Sequence, residues 1–205
     1  MDNIILVGFG GHAKSVADTI ERSNRFHIVG YTDRKPLENY QDYKWLGTDE
    51  VLKQYHGSGV NYAFICVGYL GHSDVRNKLY TMVKEIGFHL PVIVDPSAVV
   101  AGSAKIEEGT FIGKRAVINA GVSIGKMCII NSGAVIEHDC EIGAYAHISV
   151  ASILCGGVSV GESTFVGANA TVIQMRRIGK GCIIGAGSVI RSNVSDHETK
   201  WGINC

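Results

Sequence analysis

The chain has 205 residues, of which 46% are hydrophobic and only 8% aromatic, and its 19 basic residues are balanced by 19 acidic ones. A chain whose charges cancel lacks the electrostatic signature of nucleic-acid or anionic-membrane binding, so we expect neither partner. The opening apolar run, Ile4 to Val7, is far too short for a signal-peptide core or a membrane span, which predicts a cytoplasmic protein without membrane insertion. The length allows two domains, which we place at residues 1–90 and 91–205.

Residues 1–90 alternate between strand and helix patterns, as in a small Rossmann-like α/β domain. Buried parallel strands are predicted over Ile4–Val7, Phe26–Tyr31 and Tyr62–Val67. The turn Gly8–Ala13 leads from the first strand into an amphipathic helix, and a second helix is predicted over Val75–Ile86.

The turn matches the spacing of a dinucleotide-binding fingerprint, with Gly8, Gly10 and Ala13, and Asp33 follows at a suitable distance to meet a ribose hydroxyl. Only about ninety residues precede the six-residue repeat, which is short for a full dinucleotide domain. A mononucleotide in the same crevice is therefore favoured over a nicotinamide dinucleotide. Arg76 is interpreted as a solvated helix residue rather than as a phosphate contact.

Every sixth residue from Val94 to Ile190 is aliphatic, and the residue two positions earlier is small almost throughout. A helix would rotate such a row around its axis, so the six-residue period predicts short strands in a stacked β-coil. Glycine and asparagine follow many of the aliphatic residues, as tight corners with positive φ require. Cys128, Cys140 and Cys182 fall in the small row, where buried small side chains are expected rather than disulfides.

This repeat resembles the hexapeptide-repeat acyltransferases, in which three six-residue faces form one eighteen-residue coil of a left-handed parallel β-helix. The Gly-x-Gly-Gly-His turn, the acid after the second strand and the later glycine before an arginine-containing helix extend the resemblance to nearly the whole chain. The chain is similar to the NeuD/PglD-like sugar acetyltransferases, which include bacillosamine-pathway, perosamine and sialic-acid O-acetylating enzymes. That family implies a Rossmann-like nucleotide-sugar domain followed by a left-handed β-helix that binds acetyl-CoA.

The resemblance also implies contacts for both substrates. The residues expected to bind the nucleotide sugar, with UDP as the favoured nucleotide, are Gly10, Gly11, His12, Asp33, Arg34 and Gly68, and Asn131 is expected to touch the sugar. The residues expected to bind acetyl-CoA are His147, which would contact the pantetheine arm, Gly156, Ala168 and Ala186. Several relatives carry a second acid where this chain has Arg34, so the nucleotide itself stays open.

Catalytic groups are predicted at Glu137-His138-Asp139, because an exposed histidine at a β-helix corner has no structural need to be there. Imidazole titrates in the range that a general base for acyl transfer requires, which points to His138. Asp139 is expected to orient the ring, with Glu137 as the competing acid. Gly156 lies eighteen residues after His138, one coil along, and its N–H is expected to meet the oxyanion, although Gly156 could instead serve only a bulged corner.

The predicted function is direct N-acetylation of a UDP-linked amino sugar in surface glycan biosynthesis, with no metal. O-acetylation of sialic acid or another sugar hydroxyl is the alternative. A γ-carbonic-anhydrase-like zinc enzyme is less favoured because its pair of histidines five residues apart is missing, and a non-enzymatic β-helix stays open. The family further implies a homotrimer with active sites between subunits.

Overall fold

The computed structural model describes residues 1–36, 43–69 and 74–204. These residues form two compact units. The first holds the described residues of Met1–Gly68 and Ser73–Ile93, and the second holds those of Tyr69–His72 and Val94–Cys205.

The first unit is built on a four-stranded parallel sheet. Its strands, in the spatial order β3-β2-β1-β4, are β1 (Asp2–Val7), β2 (Phe26–Thr32), β3 (Trp45–Gly47) and β4 (Tyr62–Ile65). The helices are α1 (Gly11–Ser23), a short 3-10 helix (Asp49–Val51), α2 (Leu52–Gly57) and α3 (Val75–Ile86). The strand order reverses at β1, so the carboxyl ends of β1 and β4 form the crevice in which sheets of this kind bind ligands.

The Rossmann-like α/β fold predicted for this region is confirmed, with two differences. The edge strand β3 and the pair of short helices after it were not predicted. The interpretation of Arg76 as a solvated residue is wrong, because Arg76 is only 2% exposed and its Nη1 donates to the carbonyl of Val67, just after β4. A buried guanidinium needs such an acceptor, and here it satisfies a backbone carbonyl near the end of the strand.

The second unit is the predicted left-handed β-helix, with three parallel faces. The first face contains Ile93–Val94, Phe111–Ile112, Ile129–Ile130, His147–Ile148, Phe165–Val166, Ile183–Ile184 and Thr199–Lys200. The second face contains Val99–Val100, Val117–Ile118, Val135–Ile136, Ile153–Leu154, Thr171–Val172, Val189–Ile190 and Ile203–Asn204. The third face contains Lys105–Ile106, Ser123–Ile124, Glu141–Ile142, Ser159–Val160 and Arg177–Ile178.

Each strand pairs with the strand eighteen residues along, as Val135 does with Ile153. The aliphatic residues of the six-residue repeat point inward, and those from Ile112 to Ile190 are all buried. Cys128, Cys140 and Cys182 lie in this interior, as predicted. The predicted period and the predicted interior are both confirmed. A residue and its neighbour eighteen positions away can therefore be treated as stacked partners.

Among the described residues, none of the helices combines the length and the apolar composition that a membrane span needs. Within the same residues, no three histidine, cysteine or acidic side chains are grouped so that they could hold a metal ion.

Candidate active site

His138 and Asp139 lie at a corner between the second and third faces, on what we call the His138 edge (residues 120–121, 138–139, 156–157 and 174–175). Asp139 has a left-handed backbone, with φ of 58°. The chain therefore bends sharply after His138, and the Asp139 carboxylate lies beside the ring that precedes it, with 2.9 Å between Nδ1 and Oδ2. The two side chains are 64% and 73% exposed, so the pair is open to a substrate.

Glu137, the competing acid, is used elsewhere. Its Oε2 accepts a hydrogen bond from Nδ2 of Asn119, one coil earlier, at 2.9 Å, and lies 3.4 Å from the backbone N of His138. The hydrogen bond to the imidazole is therefore made by Asp139. This leaves Nε2 as the ring nitrogen available to take a proton, provided that Nδ1 carries the other one.

Gly156 lies directly against the imidazole. A Cβ on Gly156 would stand 2.5 Å from Nε2 of His138, which is closer than real contacts allow. Its φ is outside the left-handed region, so the backbone itself does not require glycine. Backbone hydrogen bonds join successive coils at this point. Gly157 N donates to the His138 carbonyl at 2.9 Å, and Met175 N donates to the Gly156 carbonyl at 3.0 Å.

The N–H of Gly156 has no hydrogen-bond acceptor among residues 1–36, 43–69 and 74–204. At three other corners the equivalent backbone N–H donates to the side chain of the residue before it. The acceptor and donor pairs are Asn119 with Ala120, Asn131 with Ser132, and Glu137 with His138. Before Gly156 the chain has Cys155, whose thiol makes no such bond. The geometry thus leaves one backbone donor beside Nε2, as an oxyanion contact requires.

The carboxylate of Asp139 also contacts the preceding coil. A Cβ on Gly121, eighteen residues earlier, would stand 2.5 Å from Oδ1 of Asp139. Sequence reasoning missed Gly121, because the only signal was a glycine one coil before the acid.

Two of the predicted acetyl-CoA contacts fall on a second edge. Ala168 and Ala186 lie one above the other at the corner between the first and second faces, which we call the Ala168 edge (residues 131–133, 149–151, 167–169 and 185–187). Gly187 N donates to the Ala168 carbonyl at 2.8 Å. Asn131 is on the same edge, where its Oδ1 accepts from Ser132 N at 2.8 Å. In a single chain these residues are separated from His138 by the width of the second face.

His147 lies on the first face and belongs to neither edge. It is 7% exposed, its Nδ1 is 2.6 Å from the carbonyl oxygen of Tyr69, and its ring meets that of Phe165 edge-on at 5.1 Å. The contact of His147 with pantetheine stays a prediction.

A nearby thiol is unsuited to act as a nucleophile. Cys140, two residues after His138, is buried, and its Sγ donates to the carbonyl of Cys155 at 3.2 Å. Burial raises the pKa of the Cys140 thiol to about 11. At neutral pH this group is a protonated interior side chain.

In the first unit, the glycine turn leaves the start of α1 open. Among the described residues, a Cβ on Gly10 or Gly11 would meet nothing within 4 Å, and neither residue has left-handed φ. No side chain in this part of the chain caps α1, and the first turn of α1 has no acidic residue. Gly68, after β4, faces the same turn, since a Cβ there would lie 3.8 Å from Cβ of His12. Backbone N–H groups at a helix start are suited to a phosphate.

Asp33, expected to contact the nucleotide, also ties the end of β2 to the glycine turn. Its Oδ2 accepts from Phe9 N at 2.8 Å, and its Oδ1 accepts from the N of Arg34, an exposed residue, at 2.7 Å. Trp45 Nε1 donates to the Asp33 carbonyl at 3.2 Å. The structure thus gives this acid a role in shaping the turn, and each carboxylate oxygen keeps a second lone pair for a ligand.

Two family models match the chain. The PglD N-terminal domain matches residues 3–83, and the hexapeptide repeat of succinyl-transferase matches residues 104–137 and 157–192.

Solved structures of similar proteins match over almost the entire length. PerB from Caulobacter crescentus, in complex with CoA and GDP-perosamine, is 35% identical, with a TM-score of 0.92 over 98% of this chain and 95% of that one. A histidine-to-alanine mutant of GDP-perosamine N-acetyl transferase from the same organism, with the same two ligands, is 32% identical, with a TM-score of 0.89 over 98% and 94%. The acetyltransferase domain of PglB from Neisseria gonorrhoeae, in complex with acetyl coenzyme A, is 28% identical, with a TM-score of 0.87 over 98% and 96%.

Proposed function

This chain belongs to the NeuD/PglD-like family of sugar acetyltransferases, and we propose that it transfers the acetyl group of acetyl-CoA to the amino group of a nucleotide-linked amino sugar. It is an acetyl-CoA-dependent acetyltransferase. The single observation that carries the proposed transfer is the exposed His138–Asp139 pair with the N–H of Gly156 beside it. We place the reaction in the cytoplasm, as a step in surface glycan biosynthesis.

The residues of the His138 edge account for each part of the transfer. Asp139 holds the proton on Nδ1, so Nε2 of His138 can take a proton from the amine as its nitrogen attacks the acetyl carbonyl. The Gly156 N–H stabilises the negative charge that develops on the carbonyl oxygen. The C–N bond forms, the C–S bond breaks, and His138 returns its proton to the departing sulfur. Because Cys140 is a buried, protonated thiol, direct transfer is favoured over a covalent acyl-enzyme at that residue.

The first unit supplies nucleotide recognition in this proposal. Its open helix start at Gly10 and Gly11 offers N–H groups to a diphosphate, with His12 and Gly68 beside it. Asp33 and Arg34 follow β2, where the ribose and base would be recognised. UDP is the nucleotide that the resemblance to the family implies. GDP is the second candidate, because PerB, the 35% identical protein, is in complex with GDP-perosamine.

We also propose a homotrimer with active sites between subunits. Three of the predicted acetyl-CoA contacts, Gly156, Ala168 and Ala186, lie on the two edges that flank the second face. This face carries exposed apolar residues: Val99 (64%), Ile153 (39%) and Ile203 (68%). A neighbouring subunit packed on this face would cover the apolar row and supply the second edge.

Light scattering should give the mass of a trimer for the wild type, and Ile153→Glu should lower both the mass and the activity. A monomeric, fully active wild type would contradict this assembly.

A panel of acceptors tests the proposed function. Purified protein is incubated with acetyl-CoA and UDP-, GDP- or dTDP-linked amino sugars, or with sialic acids, and both CoA release and the mass of the product are followed. The proposal expects an amide product from a nucleotide amino sugar, with either UDP or GDP preferred. Acetylation of sialic acids alone would move the function to O-acetylation, and no CoA release with any acceptor would contradict the proposal.

A further inference from the structure

We propose that Gly121 is a positioning residue for the transfer, acting through Asp139. Gly121 lies one coil before Asp139 on the His138 edge, and both residues have left-handed φ, of 73° and 58°. A Cβ added to Gly121 would stand 2.5 Å from Oδ1 of Asp139, while the next nearest atoms of Asp139 are at 3.5 Å and 3.6 Å. The carboxylate alone therefore occupies the space that a side chain at residue 121 would fill.

The same carboxylate bonds the imidazole through its other oxygen. With Oδ1 resting on Gly121, Oδ2 lies 2.9 Å from Nδ1 of His138. A methyl group on Gly121 would push the carboxylate away by about 1 Å to reach an ordinary contact distance. Because the carboxylate is the end of a side chain, it can move without displacing the coil, and the hydrogen bond to His138 would be lost.

Two other corners show the same packing without a catalytic partner. Sδ of Met175 lies 2.5 Å from the position of a Cβ on Gly157, and Nδ1 of His197 lies 2.5 Å from that of a Cβ on Gly181. At each of these three corners, the side chain of a left-handed residue lies against a glycine one coil earlier. Gly121 differs because the side chain that it accommodates is the one that orients His138.

The matched control is Gly133→Ala. Gly133 has left-handed φ of 68°, so alanine is strained there much as at Gly121, but its nearest neighbour would be at 4.0 Å. Equal losses of thermal stability in Gly121→Ala and Gly133→Ala would report the backbone alone. Any further difference between the two variants reports the displaced carboxylate.

The first measurement needs no sugar substrate. ¹⁵N NMR of the imidazole of His138, assigned with His138→Ala and recorded in alkaline buffer where histidine is neutral, reports which ring nitrogen carries the proton. The wild type and Gly133→Ala should carry it on Nδ1, and Gly121→Ala should lose that preference. An unchanged Nδ1–H signature in Gly121→Ala would overturn the proposal.

The second measurement rests on the proposed function and uses the acceptor that the wild type acetylates fastest in the panel above. Gly121→Ala should lower kcat by about 10- to 100-fold, the cost of misplacing a catalytic group by about 1 Å. In an Asp139→Asn background it should cause no further loss, since both changes break one interaction. An additional loss in that background would contradict action through Asp139. If Gly121→Ala changes the tautomer of His138 but leaves kcat unchanged, Gly121 does position Asp139, and the result counts against His138 as the base.

Discussion

The imidazole of His138 rests on Gly156, with Nε2 only 2.5 Å from where a Cβ of residue 156 would be. Gly156 therefore leaves room for the ring and offers an N–H beside Nε2, the nitrogen that would accept the proton in the proposed transfer. Asp139 and Gly121 complete the arrangement on the other side of the ring. The His138–Asp139 pair contacts both the coil before it and the coil after it.

Gly156→Ala should lower kcat by about 100-fold, because the added methyl must displace the ring from its position. Thermal stability should change little, since φ of Gly156 is outside the left-handed region. The measurement is steady-state kinetics with a melting curve. Gly102→Ala is the control, because Gly102 lies on the same edge three coils earlier and a Cβ there would meet nothing within 4 Å. Equal activity in the two variants would rule out the close contact with His138 as a functional feature.

Asp139→Asn and Glu137→Gln should separate the two acids beside His138. Asp139→Asn removes the charge that bonds Nδ1 and should reduce kcat by at least about tenfold, with little change in the KM for acetyl-CoA. Glu137→Gln should have a much smaller effect, because Glu137 bonds Asn119 instead of the ring. The kcat values of the two variants and the wild type are measured at the same pH and compared. A larger loss for Glu137→Gln than for Asp139→Asn would reverse the assignment.

Gly11→Ala should weaken binding of the nucleotide sugar. The methyl would enter the open space at the start of α1, and loss of one hydrogen bond to a charged group corresponds to a rise in KM of about 10- to 100-fold. The KM for acetyl-CoA should stay near that of the wild type. Gly57→Ala, at the end of α2, is the matched control, because its Cβ would also meet nothing within 4 Å. An unchanged KM for the nucleotide sugar in Gly11→Ala would place the phosphates elsewhere.

The buried thiols should make the fold sensitive to alkali. Burial raises the pKa of Cys140 to about 11, from 9.0 for an ordinary thiol, and burial also raises the pKa of Cys66 and Cys182. Since a raised pKa in the folded state favours folding only while the thiol is protonated, stability should fall as the pH rises from 9.0 towards 11.

Peptide mapping after iodoacetamide treatment should find Cys140 unlabelled in the native protein and labelled in urea. Labelling of native Cys140 at neutral pH would contradict its burial.

The β-helix was predictable because its repeat is a direct consequence of the coil, in which every sixth side chain must point inward. The choice between Glu137 and Asp139 was not, since both flank His138 in the sequence. It depends on the left-handed backbone of Asp139 and on the bond between Glu137 and Asn119, which lies eighteen residues away.

In the first unit, β1, β2, β4 and α3 were evident from their apolar patterns, while α2 spans only six residues and is too short for a clear helical period. A signal was present in Thr48-Asp49-Glu50, a typical helix start before Leu52. The burial of Arg76 depends on the Val67 carbonyl, a tertiary contact that a charged residue in a helix pattern does not reveal.

His138 is proposed as the base, and the direct test is the rate of CoA release by His138→Ala with the preferred nucleotide amino sugar. We predict that kcat falls by about 10²- to 10⁴-fold, the usual contribution of a general base, while the KM values for both substrates stay near those of the wild type. A His138→Ala variant that releases CoA as fast as the wild type would contradict the central claim.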